Sequence, residues 1–247
     1  MCAAGACLPI LSCNACWPVP ESAIKSCSIP GRHTLVWVRP ECRAAVAAQT
    51  ADDATHRQVA AWLAADRPLV VARQSDAALP DILAVGLALP PALGKCRVAL
   101  RVTSHDIVRH APPLRLAEVI PHATAEWQPA LAELHESAIS IGIDLRVFGS
   151  FSWQSLSGLS YLTPQSDIDL LWHPRSRTQL QQGIALLARW EQSSGMRADG
   201  EVLFGGSSAV SWREWRQLKS GDDQRVLVKR DHSAELVAAR ELLELLA

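Results

Sequence analysis

Two short motifs near the middle of the chain carry the residue types that phosphate chemistry needs. Arg146-Val147-Phe148-Gly149-Ser150 reads as an apolar strand closed by a Gly-Ser pair, and Ser166-Asp167-Ile168-Asp169-Leu170 sets two aspartates one residue apart in another strand. Side chains alternate along a strand, so Asp167 and Asp169 are expected to project to one side while Ile168 faces the core. Paired carboxylates repel each other, and each resists leaving water. A hard divalent cation with oxygen ligands resolves that conflict, which makes Mg²⁺ the expected metal and a phosphate ester the expected substrate. Gly149 permits the tight backbone that lets N–H groups point at an anion, and the Ser150 hydroxyl adds a donor. Phe151-Ser152-Trp153-Gln154 is expected to start a helix whose positive end faces that anion. A Gly-Ser pair after a strand is common by itself; the Asp-Ile-Asp that follows gives it weight. The apolar flanks Ile168, Leu170, Leu171 and Trp172 speak against a solvated sheet edge.

A site for two metal ions needs a further carboxylate from a neighbouring strand. Asp199-Gly200-Glu201 offers two that alternate onto one face. Asp199 is preferred over Glu201, and a plain Asp-Gly hairpin turn is the alternative. Lys229, ending Val226-Leu227-Val228, and Arg146, beside the Gly-Ser turn, are candidates for neutralising phosphate, against a competing reading as solvated surface charges. Arg73, Lys95 and Arg97 flank loops and are weaker candidates for clamping a large anion, while His33 and His173 read as ordinary polar positions.

The elements that must position these residues follow from periodicity. His33 to Val38, Leu69 to Ala72 and Arg97 to Leu100 read as strands, residues 51–65 as a helix, and Gly86 to Lys95 as a Pro/Gly loop. After a linker with a short helix at 111–122, Ala123 to Ile141 reads as a helix ended by Gly142, and Leu145 to Phe148 as the strand feeding the Gly-Ser turn. Ser176 caps a helix with apolar residues at Leu180, Ile184, Leu187 and Ala188, which Gly195 closes. Arg197 to Phe204 and Arg225 to Val228 read as strands, and 233–246 as a terminal amphipathic helix. The expected fold is α+β: a leader at 1–31 without order, a small α+β unit at 32–110, and a mixed sheet with flanking helices at 111–247 that carries the two motifs.

Composition narrows the partners. The formal net charge of -1 supplies no global basic field, so bulk nucleic-acid binding is not expected. No apolar run reaches the roughly 18 to 20 residues of a membrane span, and a cytoplasmic protein is expected. Of the seven cysteines, five (Cys2, Cys7, Cys13, Cys16 and Cys27) lie in the leader. Cys13-Asn14-Ala15-Cys16 has zinc-knuckle spacing but no second pair at the right offset, and the odd count argues against a disulfide framework. Leu8 to Ser12 lacks the basic segment of an export signal. A disordered extension, or an upstream start codon, is the expectation for this leader.

The stretch from Arg146 to Trp172 as a whole, with its Trp153-Gln154, Gly158-Leu159 and Tyr161-Leu162 insert between the two motifs, resembles the phosphoribosyl-dephospho-CoA transferases of malonate decarboxylase, its holo-acyl-carrier-protein synthases. The resemblance extends to Arg67 to Val71, Leu87 to Lys95, Asp199 to Glu201, Val210 to Glu214 and Val226 to Lys229, and so spans about residues 32 to 246. It departs in the leader and at Cys96, where a second basic residue is expected after Lys95. What the resemblance implies is a nucleotidyltransferase-like catalytic domain and transfer from 2'-(5-triphosphoribosyl)-3'-dephospho-CoA to a serine of the acyl-carrier subunit of malonate decarboxylase, with release of diphosphate. In that reaction Asp167, Asp169 and Asp199 or Glu201 hold Mg²⁺ and Gly149, Ser150, Arg146 and Lys229 hold the phosphates. The alternatives are a nucleotidyltransferase of this fold with another acceptor (small molecule, protein or tRNA) and a non-catalytic nucleotide- or carrier-binding module.

Overall fold

A computed structural model of the chain describes residues 30–74, 81–94, 96–218 and 224–246. The leader cysteines and Lys95 lie outside the described residues. The fold is α+β, built on two sheets. The first contains β1 (Leu35–Val38), α1 (Arg43–Ala47), α2 (Asp53–Ala64), β2 (Leu69–Val71), β3 (Ile82–Ala88), β4 (Arg97–Thr103) and β5 (Ile107–Ala111). Its strands are antiparallel in the order β4-β3-β2-β1-β5. Helix α2 starts where the Asp52 carboxylate accepts the Thr55 N–H at 2.8 Å, and it buries Val59, Trp62 and Leu63 in the core of this unit.

The second sheet contains β6 (Leu114–Arg115), α3 (Leu116–Val119), α4 (Gln128–Ser140), β7 (Arg146–Phe148), α5 (Gly149–Ser157), β8 (Ile168–Trp172), α6 (Arg177–Ser194), β9 (Ala198–Phe204), β10 (Ser208–Ser211), α7 (Trp212–Arg216), β11 (Arg225–Lys229), β12 (Ala234–Ala238) and α8 (Ala239–Leu243). The strand order is β12-β11-β10-β9-β8-β7-β6. Only β8 and β9 run parallel among these neighbours, and α6 supplies the crossover that a parallel pair requires. The Ser176 hydroxyl caps α6 by accepting the Gln179 N–H. Ile168, Leu170, Trp172, Ala198, Val202 and Phe204 are buried in one core with Leu131 and Leu134 of α4 and Leu187 and Trp190 of α6. The alternate residues of these strands, Asp169, Leu171, Asp199, Glu201 and Leu203, therefore share the opposite face.

The helix expected from Ala123 begins only at Gln128, and two further elements differ from the sequence expectation. The stretch expected to be a loop from Gly86 is strand through Ala88, because Leu83, Val85 and Leu87 alternate into the core and Gly86 pairs with Ala99. Residues 233–246 are not one helix: β12 takes Ala234 to Ala238 in a five-residue register with β11 and leaves only the short α8.

The first unit packs against α5 and the segment that follows it in the second. Trp153 of α5 inserts into the core of the first unit, edge-on to Trp62 with ring centroids 5.5 Å apart. The Tyr161 hydroxyl donates to the Ala88 carbonyl at 2.8 Å, and Arg67 donates to the Ser157 carbonyl at 2.9 Å. The insert between the two motifs is thus the joint between the sheets.

Candidate active site

Three adjacent strands bring the two motifs and the third carboxylate into one row. Phe148, the last residue of β7, is the register partner of Asp169, and Asp169 is in turn the partner of Asp199. The chain turns into α5 at Gly149, with φ +66° and a backbone so close to Asp169 that a Cβ would overlap its carboxylate. Only glycine satisfies both conditions, and the turn sets the first N–H groups of α5 beside the carboxylates. Ser150 follows as the second residue of that helix. Gly200 has φ +131°, and a Cβ there would run into the Leu170 carbonyl, so it holds the β8 and β9 backbones close together. Asp199-Gly200 is therefore a mid-strand feature rather than a hairpin turn. The Asp199 carboxylate accepts the Gly200 N–H at 2.8 Å.

Electrostatics mark Asp169 as the centre of this row. Burial first, then the charges of Asp199 and Asp167, push its carboxyl up to about 6, with Arg97 of the first unit pulling the other way. Asp167 lies just before β8 and pairs with Arg197 at 3.1 Å. Among the described residues no three His, Cys, Asp or Glu are already gathered into a metal cage. The donor set nonetheless suits Mg²⁺: all its ligands are carboxylate oxygens, Asp169 is short of cations, and Mg²⁺ commonly takes one or two protein carboxylates with the rest from water and substrate phosphate.

The other sequence candidates sit elsewhere on this face. Glu201 is buried, and both its oxygens are taken: Arg32 lies 3.0 Å from Oε2, His33 3.2 Å from Oε2, and Lys229 3.0 Å from Oε1. Burial would raise its carboxyl, but the hydrogen bond from His33 and the charges around it hold it down at about 2. Of the two carboxylates flanking Gly200, Asp199 faces Asp169 and Glu201 is saturated with cations. Lys229 is engaged by Glu201 rather than free for phosphate. Arg146 lies at the opposite end of β7 from the Gly-Ser turn, with its guanidinium held by the Pro113 carbonyl at 2.7 Å and by Asp144 at 3.1 Å. His33 is more than an ordinary polar position: besides meeting Glu201, its ring lies 4.3 Å from that of Phe148. Arg32, as a partner of Glu201, and Arg197, as a partner of Asp167, had no local sequence signal.

Family models match both parts of the chain: the phosphoribosyl-dephospho-CoA transferase MdcG N-terminal domain over residues 31–113 and the MdcG C-terminal domain over 115–240. The chain belongs to the phosphoribosyl-dephospho-CoA transferase family. It is similar to a phosphoribosyl-dephospho-CoA transferase of Xanthomonas campestris pv. campestris, 44% identical over 84% of this chain and 93% of that relative. Those of Bradyrhizobium diazoefficiens and Pseudomonas fluorescens are 39% identical over 75% of this chain and 81% of the relative, and 29% over 85% and 93%. No solved structure matches. The C-terminal family match contains the whole row of Gly149, Asp169 and Asp199. Among the described residues of this transferase, no helix is long and apolar enough to cross a membrane.

Proposed function

We propose that this protein is a nucleotidyltransferase that attaches the 2'-(5-phosphoribosyl)-3'-dephospho-CoA group to a serine of the acyl-carrier subunit of malonate decarboxylase, in the cytoplasm. The donor is 2'-(5-triphosphoribosyl)-3'-dephospho-CoA. The observation that carries this reading is the single row of Gly149, Asp169 and Asp199 inside a chain of the phosphoribosyl-dephospho-CoA transferase family. In the reaction the serine oxygen forms a bond to the α-phosphorus of the donor, the bond from that phosphorus to the bridging oxygen breaks, and diphosphate leaves with that oxygen.

Mg²⁺ held by Asp169 and Asp199, with Asp167 at the edge, would neutralise phosphate charge as the leaving group departs. The N–H groups opening α5 at Gly149 and Ser150 face the diphosphate end and need no reorganisation to do so. An oxygen of the Asp169–Asp199 pair not committed to metal accepts the serine proton. Arg97, which acts electrostatically on Asp169 from the first unit, adds a cation at the rim. Most of the acceleration then comes from positioning and charge neutralisation.

The test is the intact mass of the carrier subunit after incubation with this protein, Mg²⁺ and the donor. The expected gain equals one phosphoribosyl-dephospho-CoA group, with diphosphate released in equal amount. An unmodified carrier, or equal labelling from unmodified ATP, would contradict the reading.

A further inference from the structure

The catalytic face does not end at the carboxylates. Beyond Arg32 and His33 it opens into a cleft of about 530 Å³ that no step above uses. Leu171 of β8 and Leu203 of β9 line it, the segment from Gly31 to Thr34 and the Pro112-Pro113 pair lie along it, and Arg146, His173 and Arg175 add basic groups. Strands advance about 3.3 Å per residue, so His173 lies about 13 Å along β8 from Asp169. A second, smaller pocket of about 50 Å³ touches Phe148 and Gly149 and shares His33 and Pro113 with the cleft. The cleft and the pocket beside the Gly149 turn thus lie on either side of His33 and Pro113.

The charges lining the cleft are unequally committed. Arg32 is held by Glu201, and Arg146 by Asp144 and the Pro113 carbonyl. The two acids of the lining are also engaged: Asp144 by Arg115 and Arg146, and Asp231 by the Arg32 N–H at 2.9 Å. Arg175 is exposed, and among the described residues its only hydrogen bond runs from its backbone N–H to Gln179, which leaves the guanidinium without a protein partner there. An available guanidinium next to an apolar surface fits a ligand with an anionic group followed by an uncharged chain.

We infer that this cleft binds the dephospho-CoA half of the donor, with the diphosphate of that half at Arg175 and its amide-bearing arm along Leu171 and Leu203. This rests on the proposed function, which sets the reacting phosphate at Asp169 and leaves the rest of the donor, beyond its two ribose rings, to be held elsewhere. Length, charge and the nearness of the Gly149 turn across His33 and Pro113 all point to the same occupant.

Binding to the full chain separates the two ends when measured with dephospho-CoA alone and with Mg²⁺ and inorganic tripolyphosphate alone. Arg175→Ala is expected to weaken dephospho-CoA about tenfold, the loss of one charge-assisted contact, and Arg175→Glu more. Tripolyphosphate affinity should change by less than about twofold, and in the loading assay the donor KM should rise about tenfold while kcat changes far less. Dephospho-CoA binding that is unchanged in both variants overturns the inference, as does a rise in the carrier KM in place of the donor KM. A wild-type protein that loads the carrier while both variants match it sinks this inference alone; a wild-type protein that neither loads nor binds dephospho-CoA sinks the proposed function with it.

Discussion

Asp169 and Glu201 rise from neighbouring strands onto the same sheet face, two residues apart in register, and their surroundings drive them in opposite directions. Asp169 sits among Asp199 and Asp167 with a distant Arg97, and its carboxyl is raised to about 6. Glu201 is ringed by Arg32, His33 and Lys229 and is lowered to about 2. One carboxylate lacks cations, and in the proposed reaction it meets a metal and a phosphate; the other has them in excess and fastens the segment before β1 to β9 and β11. Carboxylates sharing a face thus divide into chemistry and construction according to what their neighbours leave unsatisfied.

The largest expected effect is on the Asp169 side. Asp199→Asn should lower the rate of carrier loading about 10³-fold with little change in melting temperature, because it removes charge stabilisation made in the transition state. Single-turnover kinetics check this, and a loss below about tenfold would return Glu201 to the metal set. Next comes Glu201→Gln, which leaves Arg32 and Lys229 without their buried counter-charge and should destabilise the fold by about 3 kcal/mol in urea denaturation.

The pH dependence separates the two groups by sign. Glu201 has a folded pKa below its unfolded value of 4.5, so its stabilisation is present above 4.5 and is lost as pH falls toward about 2. Asp169 has a folded pKa above its unfolded value of 3.8, so in EDTA stability should decline as pH rises from 3.8 to about 6, and Asp169→Asn should abolish that decline. Thermal melts across this range in both variants read each contribution. Smallest is the neutral contact across the same joint: Tyr161→Phe, losing the hydrogen bond to Ala88, should cost about 1 kcal/mol. A cost equal to that of Glu201→Gln would mean that the ion cluster adds nothing beyond an ordinary joint.

The row of Gly149, Asp169 and Asp199, catalytic in the proposed function, was legible because its signals are local. Strand alternation puts Asp169 on the face away from the core, Gly149 falls at the tight turn into α5, and Ser176 and Gly195 bound α6 in the expected places. The Glu201 cluster was not legible, since Arg32 and His33 lie 169 and 168 residues from their partner and nothing in either segment names the other. Alternation placed Asp199 and Glu201 on one face but could not say which would find cations. In the last segment, Ala234 to Ala238 is made of good helix formers, yet pairing with β11 outweighs that local preference. The Trp153 to Tyr161 insert was visible as a motif, but its work of joining the two sheets appears only once Trp62 and Ala88 are in place beside it.

The most direct test of this division measures loading rate and melting temperature side by side for Asp169→Asn and Glu201→Gln, metal-free for the melts and with Mg²⁺ for the rates. Asp169→Asn should lose loading about 10³-fold while melting at or above the wild-type temperature, and Glu201→Gln should melt lower yet load the carrier when assayed below its melting point. Near wild-type loading by Asp169→Asn, or abolished loading by a folded Glu201→Gln, would contradict the account.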